Sequence, residues 1–212
     1  MSIILTGDQQ AVIGGKLAEI SRQVFLQKGY GFDPNALDSF LQRAIEGRFI
    51  DPRGFAIWRT IKLGTGPKNA TDFRKALKDC GIQIGDWAND ILGKPAFTVA
   101  IEETEVDLVK VSVSELGFDQ VTRYDKICER AKESGLLLCQ NEVGPQLRLQ
   151  YKDQPKGEVI RIAMEAIRDS DGDLEVFNVE HNGNGLWLSS VYGSPDRLFS
   201  PIGVFVFVRP RK

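Results

Sequence analysis

The C-terminal stretch, Gly185 to Lys212, constrains the fold most: G-L-W-L-S-S-V-Y-G-S-P-D-R-L-F-S-P-I-G-V-F-V-F-V-R-P-R-K. Large apolar residues at its two ends (Leu186, Trp187 and Leu188, then Phe205, Val206, Phe207 and Val208) bracket a middle rich in Ser, Gly and Pro. Within that middle a six-residue unit occurs twice. Ser194, Pro195 and Phe199 return as Ser200, Pro201 and Phe205, with three unrelated residues between each Pro and Phe. The apolar ends read as strands that need burial, and the middle reads as a loop presenting side chains. A binding site is expected there.

The rest of the composition removes several classes of function. At 212 residues, 42% apolar and 26% charged, the chain can bury one sizeable core or two small ones. Net charge is −2 and no run of Lys and Arg occurs, so nothing favours non-specific attraction to nucleic acid or an anionic membrane. No apolar run approaches the ~20 residues of a membrane span. The start, M-S-I-I-L-T-G-D, lacks the basic and apolar regions of a signal peptide. Location in the cytoplasm is the default expectation, with export or display by a non-standard route as the alternative.

Cys80, Cys128 and Cys139 form no C-x-x-C pair, which argues for buried free thiols rather than a disulfide framework or a zinc site. A single histidine, His181, lies in H-N-G-N-G and reads as a solvated turn residue. No cofactor or metal is expected.

Hydrophobic spacing organises the chain in order. Ile13, Leu17, Ile20 and Val24 share a helical face within 8–28, and a second helix, with Asp33 as cap and Pro34 in its first turn, runs to Gly47. A strand is expected over 55–63, broken by G-T-G-P, then a helix capped by Thr71 and closed by Gly81. A short helix around Trp87 follows, with Trp58 and Trp87 expected in the core. Strands are expected at 97–101 and 106–114, a helix at 121–134, and further strands at 158–167, 176–179, 186–188 and 204–208. The fold class is therefore α+β, with a mainly helical region over 1–95 and a strand-rich domain over 96–212.

Catalytic motifs are weak. Asp169, Asp171 and Asp173 resemble a calcium loop, but Gly172 falls at the fourth position where the loop needs glycine at the sixth, so a tight turn is expected. G-T-G-P and G-Y-G-F lack the context of a phosphate loop, and no G-x-S-x-G elbow occurs. Glu102, Glu103 and Glu105 read as a solvated face. By contrast, the sixteen residues Ser189 to Val204 contain no Lys, Glu, Gln, Met or Trp, although these types make up 42 of the 212 residues.

The L-W-L run, the Ser/Gly/Pro loop with its repeated S-P unit and the ending F-V-F-V-R-P-R-K together resemble the variable proteins of diversity-generating retroelements, in particular archaeal and candidate-phylum members with C-type-lectin-like folds. The likeness is specific over roughly 185–212. It extends more loosely through 136–168, with E-V-G-P-Q-L-R-L-Q-Y-K-D-Q-P, and through W-R-T-I-K-L-G-T and D-W-A-N-D-I-L upstream. In that family a reverse transcriptase rewrites adenines in a 3′-terminal repeat, often at AAC or AAT codons. Such codons cannot become Lys, Glu, Gln, Met or Trp.

The resemblance implies a C-type-lectin-like domain over 96–212 with a variable region at about 186–212. It implies diversified, ligand-binding positions at Ser189, Ser190, Val191, Tyr192, Ser194, Asp196, Arg197, Leu198, Ser200, Ile202, Gly203 and Val204, and a fixed frame that includes Pro195, Phe199, Pro201 and Phe205. Trp187, Phe205 and Phe207 are the expected anchors. The function implied is non-catalytic recognition of a protein or cell-surface ligand. The alternatives are a formylglycine-generating type of enzyme, which needs late cysteines where none follows Cys139, and a nucleic-acid-binding regulator, which the scattered charge disfavours.

Overall fold

The computed structural model describes residues 55–211 and, before them, Gly15, Ala18 and Glu19, which are helical. The rest of the two helices expected over 8–28 and 33–47 lies outside the described residues. The chain divides into two units between Phe49 and Ile50, and the architecture below is that of the second.

The fold of this unit is α+β. An eight-stranded sheet has the order β1 (Arg59–Leu63), β3 (Thr104–Ser112), β10 (Val204–Arg209), β5 (Val159–Ile162), β7 (Leu174–Asn182), β8 (Gly185–Tyr192) and β2 (Gln83–Ile84), with β6 (Ile167–Arg168) on β7. A separate two-stranded ribbon joins β4 (Thr122–Arg123) to β9 (Leu198–Phe199). Four helices complete the unit among the described residues: α1 (Ala70–Asp79), α2 (Asp86–Leu92), α3 (Tyr124–Glu133) and α4 (Val143–Gln150).

The last strand is placed centrally. β10 lies antiparallel to β3, from Val204 opposite Ser112 to Arg209 opposite Asp107, and parallel to β5, with Phe205 beside Arg161. Its three residues Phe205, Val206 and Phe207 are fully buried, so successive side chains on both faces meet core. The apolar F-V-F run is the sequence signature of that two-sided burial.

The expected division at residue 95 does not separate folded units. β1 pairs along its whole length with β3, and β2 pairs with β8, so residues 59–92 supply both edges of the same sheet. The strand expected over 55–63 is β1, whereas β2 is only two residues long and too short for a period-two signal.

Other expectations shift in detail. Asn69, rather than Thr71, caps α1, its side chain accepting the Asp72 N–H at 3.0 Å. Residues 97–101 form no strand. Trp87 is 45% exposed, because α2 buries Ala88, Ile91 and Leu92 instead. Trp58 is half-buried and meets Tyr151 edge to face at 5.0 Å. Cys80 is exposed at the end of α1, whereas Cys128 and Cys139 are buried. His181 belongs to β7, and its Nδ1 lies 2.6 Å from the Gln154 carbonyl oxygen. The turn itself falls one step later, at Gly183 and Asn184.

Helix α4 was not expected from periodicity, and its burial explains why. Every residue from Val143 to Arg148 is buried, so no polar face marks it. Its G-P pair has local causes. A Cβ on Gly144 would stand 2.7 Å from the Phe177 side chain, and Pro145 sits in the first turn, where the missing N–H has no helical partner. Just before the helix, fully buried Glu142 accepts the Gly64 N–H at 2.8 Å, the Ala100 N–H at 2.7 Å and the Gln146 amide at 3.0 Å. Gly64 has φ +67°, and a Cβ there would come within 2.3 Å of the Glu102 carbonyl oxygen. The G-T-G-P segment is thus a structural turn fastened to α4 by one carboxylate.

Candidate recognition surface

The expected loop over 189–204 begins later than the sequence suggested. Ser189, Ser190, Val191 and Tyr192 continue β8, paired in register with Asn178, Phe177, Val176 and Glu175 of β7. Alternation then divides them between the two faces of the sheet. On one face Ser189 Oγ donates to Glu180 Oε1 at 3.3 Å. On the other, the Ser190 side chain hydrogen-bonds Glu175, a buried carboxyl whose pKa is raised, first of all by burial. Tyr192 closes the strand and is 47% exposed.

Beyond Gly193 the two six-residue units build the same device twice. In the first, the Arg197 N–H donates to the Ser194 carbonyl at 2.9 Å; in the second, the Gly203 N–H donates to the Ser200 carbonyl at 2.9 Å. Each unit then offers two carbonyls to a neighbouring element. Pro195 and Arg197 accept from the Asp125 and Tyr124 N–H groups at the start of α3, at 3.0 and 2.8 Å. Pro201 and Gly203 accept from the Ser114 and Val113 N–H groups just after β3, at 2.9 and 2.9 Å. Each unit ends by turning a phenylalanine inward: Phe199 is 5% exposed and Phe205 is fully buried.

These bonds join backbone to backbone, so the path of the chain does not depend on the side chains between Pro and Phe. Asp196, Arg197 and Leu198 of the first unit are all exposed, as are Ser200 and Ile202 at the second, with Ile202 85% exposed. Ser194 is half-buried. The Arg197 guanidinium carbon lies 5.8 Å from the centre of the Tyr192 ring, within cation–π range.

Two of the twelve sequence-chosen positions differ from the rest. Gly203 is buried, and a Cβ on it would stand 3.0 Å from the Ser200 carbonyl oxygen that its own N–H engages. Val204 is half-buried and starts β10 opposite Ser112. Both belong to the frame in their geometry. Trp187, expected as an anchor, is only half-buried, and its Nε1 is enclosed without an acceptor.

An open groove of about 650 Å³ runs beside the first unit, lined by Tyr124, Cys128, Met164, Ala166, Gly193 and Pro195 among others. Its Tyr124 hydroxyl donates to the Met164 carbonyl at 2.8 Å and accepts the Met164 N–H at 3.0 Å, which ties α3 to the segment between β5 and β6. The Asp169–Asp173 segment is a tight turn: the Asp169 carboxylate accepts the Asp171 and Asp173 N–H groups at 2.9 and 2.8 Å. Asp90 of α2 accepts both the N–H and the hydroxyl of Ser170.

Among the described residues no group of three or more His, Cys, Asp and Glu could hold a metal ion. No helix among them is long and apolar enough to cross a membrane. Compared with known protein families, curated proteins and solved structures, the chain matches none.

Proposed function

We propose that residues 189–202 form a ligand-recognition surface whose side chains are diversified between copies of the gene, in a C-type-lectin-like domain of the kind carried by variable proteins of diversity-generating retroelements. The observation that carries the reading is the doubled Ser-Pro unit. Its backbone is held by main-chain bonds and its phenylalanines are buried, while Asp196, Arg197, Leu198, Ser200 and Ile202 are left outside.

Substitution at such positions changes contacts with a ligand at little cost to folding. Tyr192 and Arg197 are residue types that dominate binding energy where they become buried at an interface. The role is recognition rather than catalysis, with a protein or cell-surface molecule as ligand. Gly203 and Val204 are assigned to the fixed frame.

Sequencing this gene across many cells of one population tests the proposal. Substitutions concentrated at 189–192, 194, 196–198, 200 and 202, with Pro195, Phe199, Pro201 and Phe205 constant, are the expected result. Substitutions spread evenly along the chain would overturn it.

A further inference from the structure

The groove beside the first Ser-Pro unit has walls fastened to each other. The Asp125 N–H of α3 donates to the Pro195 carbonyl at 3.0 Å, and the Tyr124 hydroxyl holds both backbone groups of Met164. Gly193 lines it at a point where no side chain fits, since a Cβ there would stand 2.5 Å from a Val176 methyl and 3.2 Å from the Ala166 Cβ. At about 650 Å³ the groove falls within the range of ligand-binding clefts.

Its lining has two chemical parts. Leu138, Ala166, Leu174 and Pro195 supply apolar surface, each of them half-buried or exposed. The same lining carries four carboxylates, Asp125, Glu129, Glu133 and Glu165, against one ammonium, Lys132. The first three recur every four residues along α3 and so share one helical face. Asp125 meets Arg123 at 2.8 Å, Glu129 meets Lys126 at 2.7 Å and Glu133 meets Arg130 at 3.1 Å. These pairs reach solvent, where such contacts are weak and exchangeable. Glu165, on the other wall, is exposed and forms no salt bridge among the described residues.

Apolar surface with a surplus of negative charge is complementary to a side chain that is apolar along its stem and cationic at its tip. Lys and Arg have that form, and a guanidinium also matches a carboxylate as a fork. We infer that this groove docks an arginine or lysine side chain of a protein ligand, with the methylene stem on Ala166, Leu174 and Pro195 and the charged tip among Glu165 and the carboxylates of α3. This rests on the recognition reading of the neighbouring surface and names its partner as a protein that presents a basic residue there. Of the lining residues only Gly193 and Pro195 fall within 189–202, and neither is a diversified position. The groove is therefore a constant contact beside the variable ones.

Met164 lines the groove and is one of two methionines in the chain, the other being Met1. In protein with isotope-labelled methionine methyl groups, the signal lost in Met164→Leu is its reporter. The probe is the capped peptide Ala-Leu-Arg-Leu-Ala, beside versions with lysine or neutral citrulline at the centre, and beside free spermidine. A saturating Met164 shift with the arginine or lysine peptide, and binding weaker by about tenfold with citrulline, is the expected result. Glu165→Gln, at an exposed position, is expected to weaken the arginine peptide by about threefold to tenfold and to leave the melting midpoint unchanged. No saturating shift, equal binding of the citrulline peptide, or unchanged affinity in Glu165→Gln would each overturn the inference. Spermidine binding as tightly as the peptide would overturn it in favour of a polyamine site, and a Met164 shift on dilution of the protein alone in favour of a contact between copies. Each of these outcomes leaves the gene-sequencing result untouched, so the two readings fall separately.

Discussion

Phe199 and Phe205 meet edge to face, with ring centroids 5.0 Å apart and planes at 85°. They occupy the same position in the two Ser-Pro units, and Tyr124 completes the cluster by stacking on Phe205 at 5.9 Å. The sequence repeat is thus closed in space: two turns that face outward share one aromatic contact inside.

This contact separates the buried core from the exposed side chains above it. Phe205→Ala should cost about 3–5 kcal/mol in denaturant unfolding. Replacing Tyr192, Asp196 and Arg197 together by Ala should cost within about 0.5 kcal/mol per site. Severe unfolding of the triple variant would contradict the assignment of these residues to an exposed surface.

Gly203 and Ile202 are adjacent and should respond oppositely. Gly203→Ala presses a methyl on the Ser200 carbonyl and should destabilise by about 1–3 kcal/mol. Ile202→Ser, at an exposed site, should leave the melting midpoint nearly unchanged. Equal midpoints for the two variants would remove Gly203 from the frame.

Glu142→Ala leaves the N–H groups of Gly64 and Ala100 without their acceptor. The expected loss is about 1–3 kcal/mol for each group that water does not reach. Hydrogen exchange should accelerate at Gly64 and Ala100 beyond what global destabilisation predicts; uniform acceleration would argue against a local clamp.

Glu175 gives a pH signature. Burial raises its pKa in the folded state, so its contribution to stability is fully present below the unfolded value of about 4.3 and is lost as pH climbs through the raised folded value. The stability of the native protein minus that of Glu175→Gln should therefore fall with rising pH across that window. A flat or rising difference would show that the carboxyl is not held in its protonated form.

The thiols should divide by burial. Cys80 is exposed, whereas burial pushes the Cys128 thiol up to about 11 and raises Cys139 further still. A thiol reagent at neutral pH should label Cys80 alone in the native protein and all three after denaturation. Native labelling of Cys139 would indicate opening of the sheet near β10.

Much of this was legible before any coordinates. The F-V-F run read as a strand that needs burial, and the Ser-Pro repeat as a loop presenting side chains; the central place of β10 came only with the fold. What periodicity missed shares a physical cause. Helix α4 is buried all round, and β2 is two residues long, so neither carries an amphipathic signal. Ser189 to Tyr192 looked like loop because Ser carries little strand preference, yet β7 supplies every pairing partner they need.

The two clamps bear differently on length and on composition. One Ser-Pro unit is fastened to the start of α3 and the other to the end of β3, so each has its own fixed docking point. A single residue inserted between Pro and Phe would swing that phenylalanine out of the core. Point substitutions leave the clamps in register, but insertions and deletions break them. The surface can therefore exchange side chains at constant length but cannot gain or lose a residue.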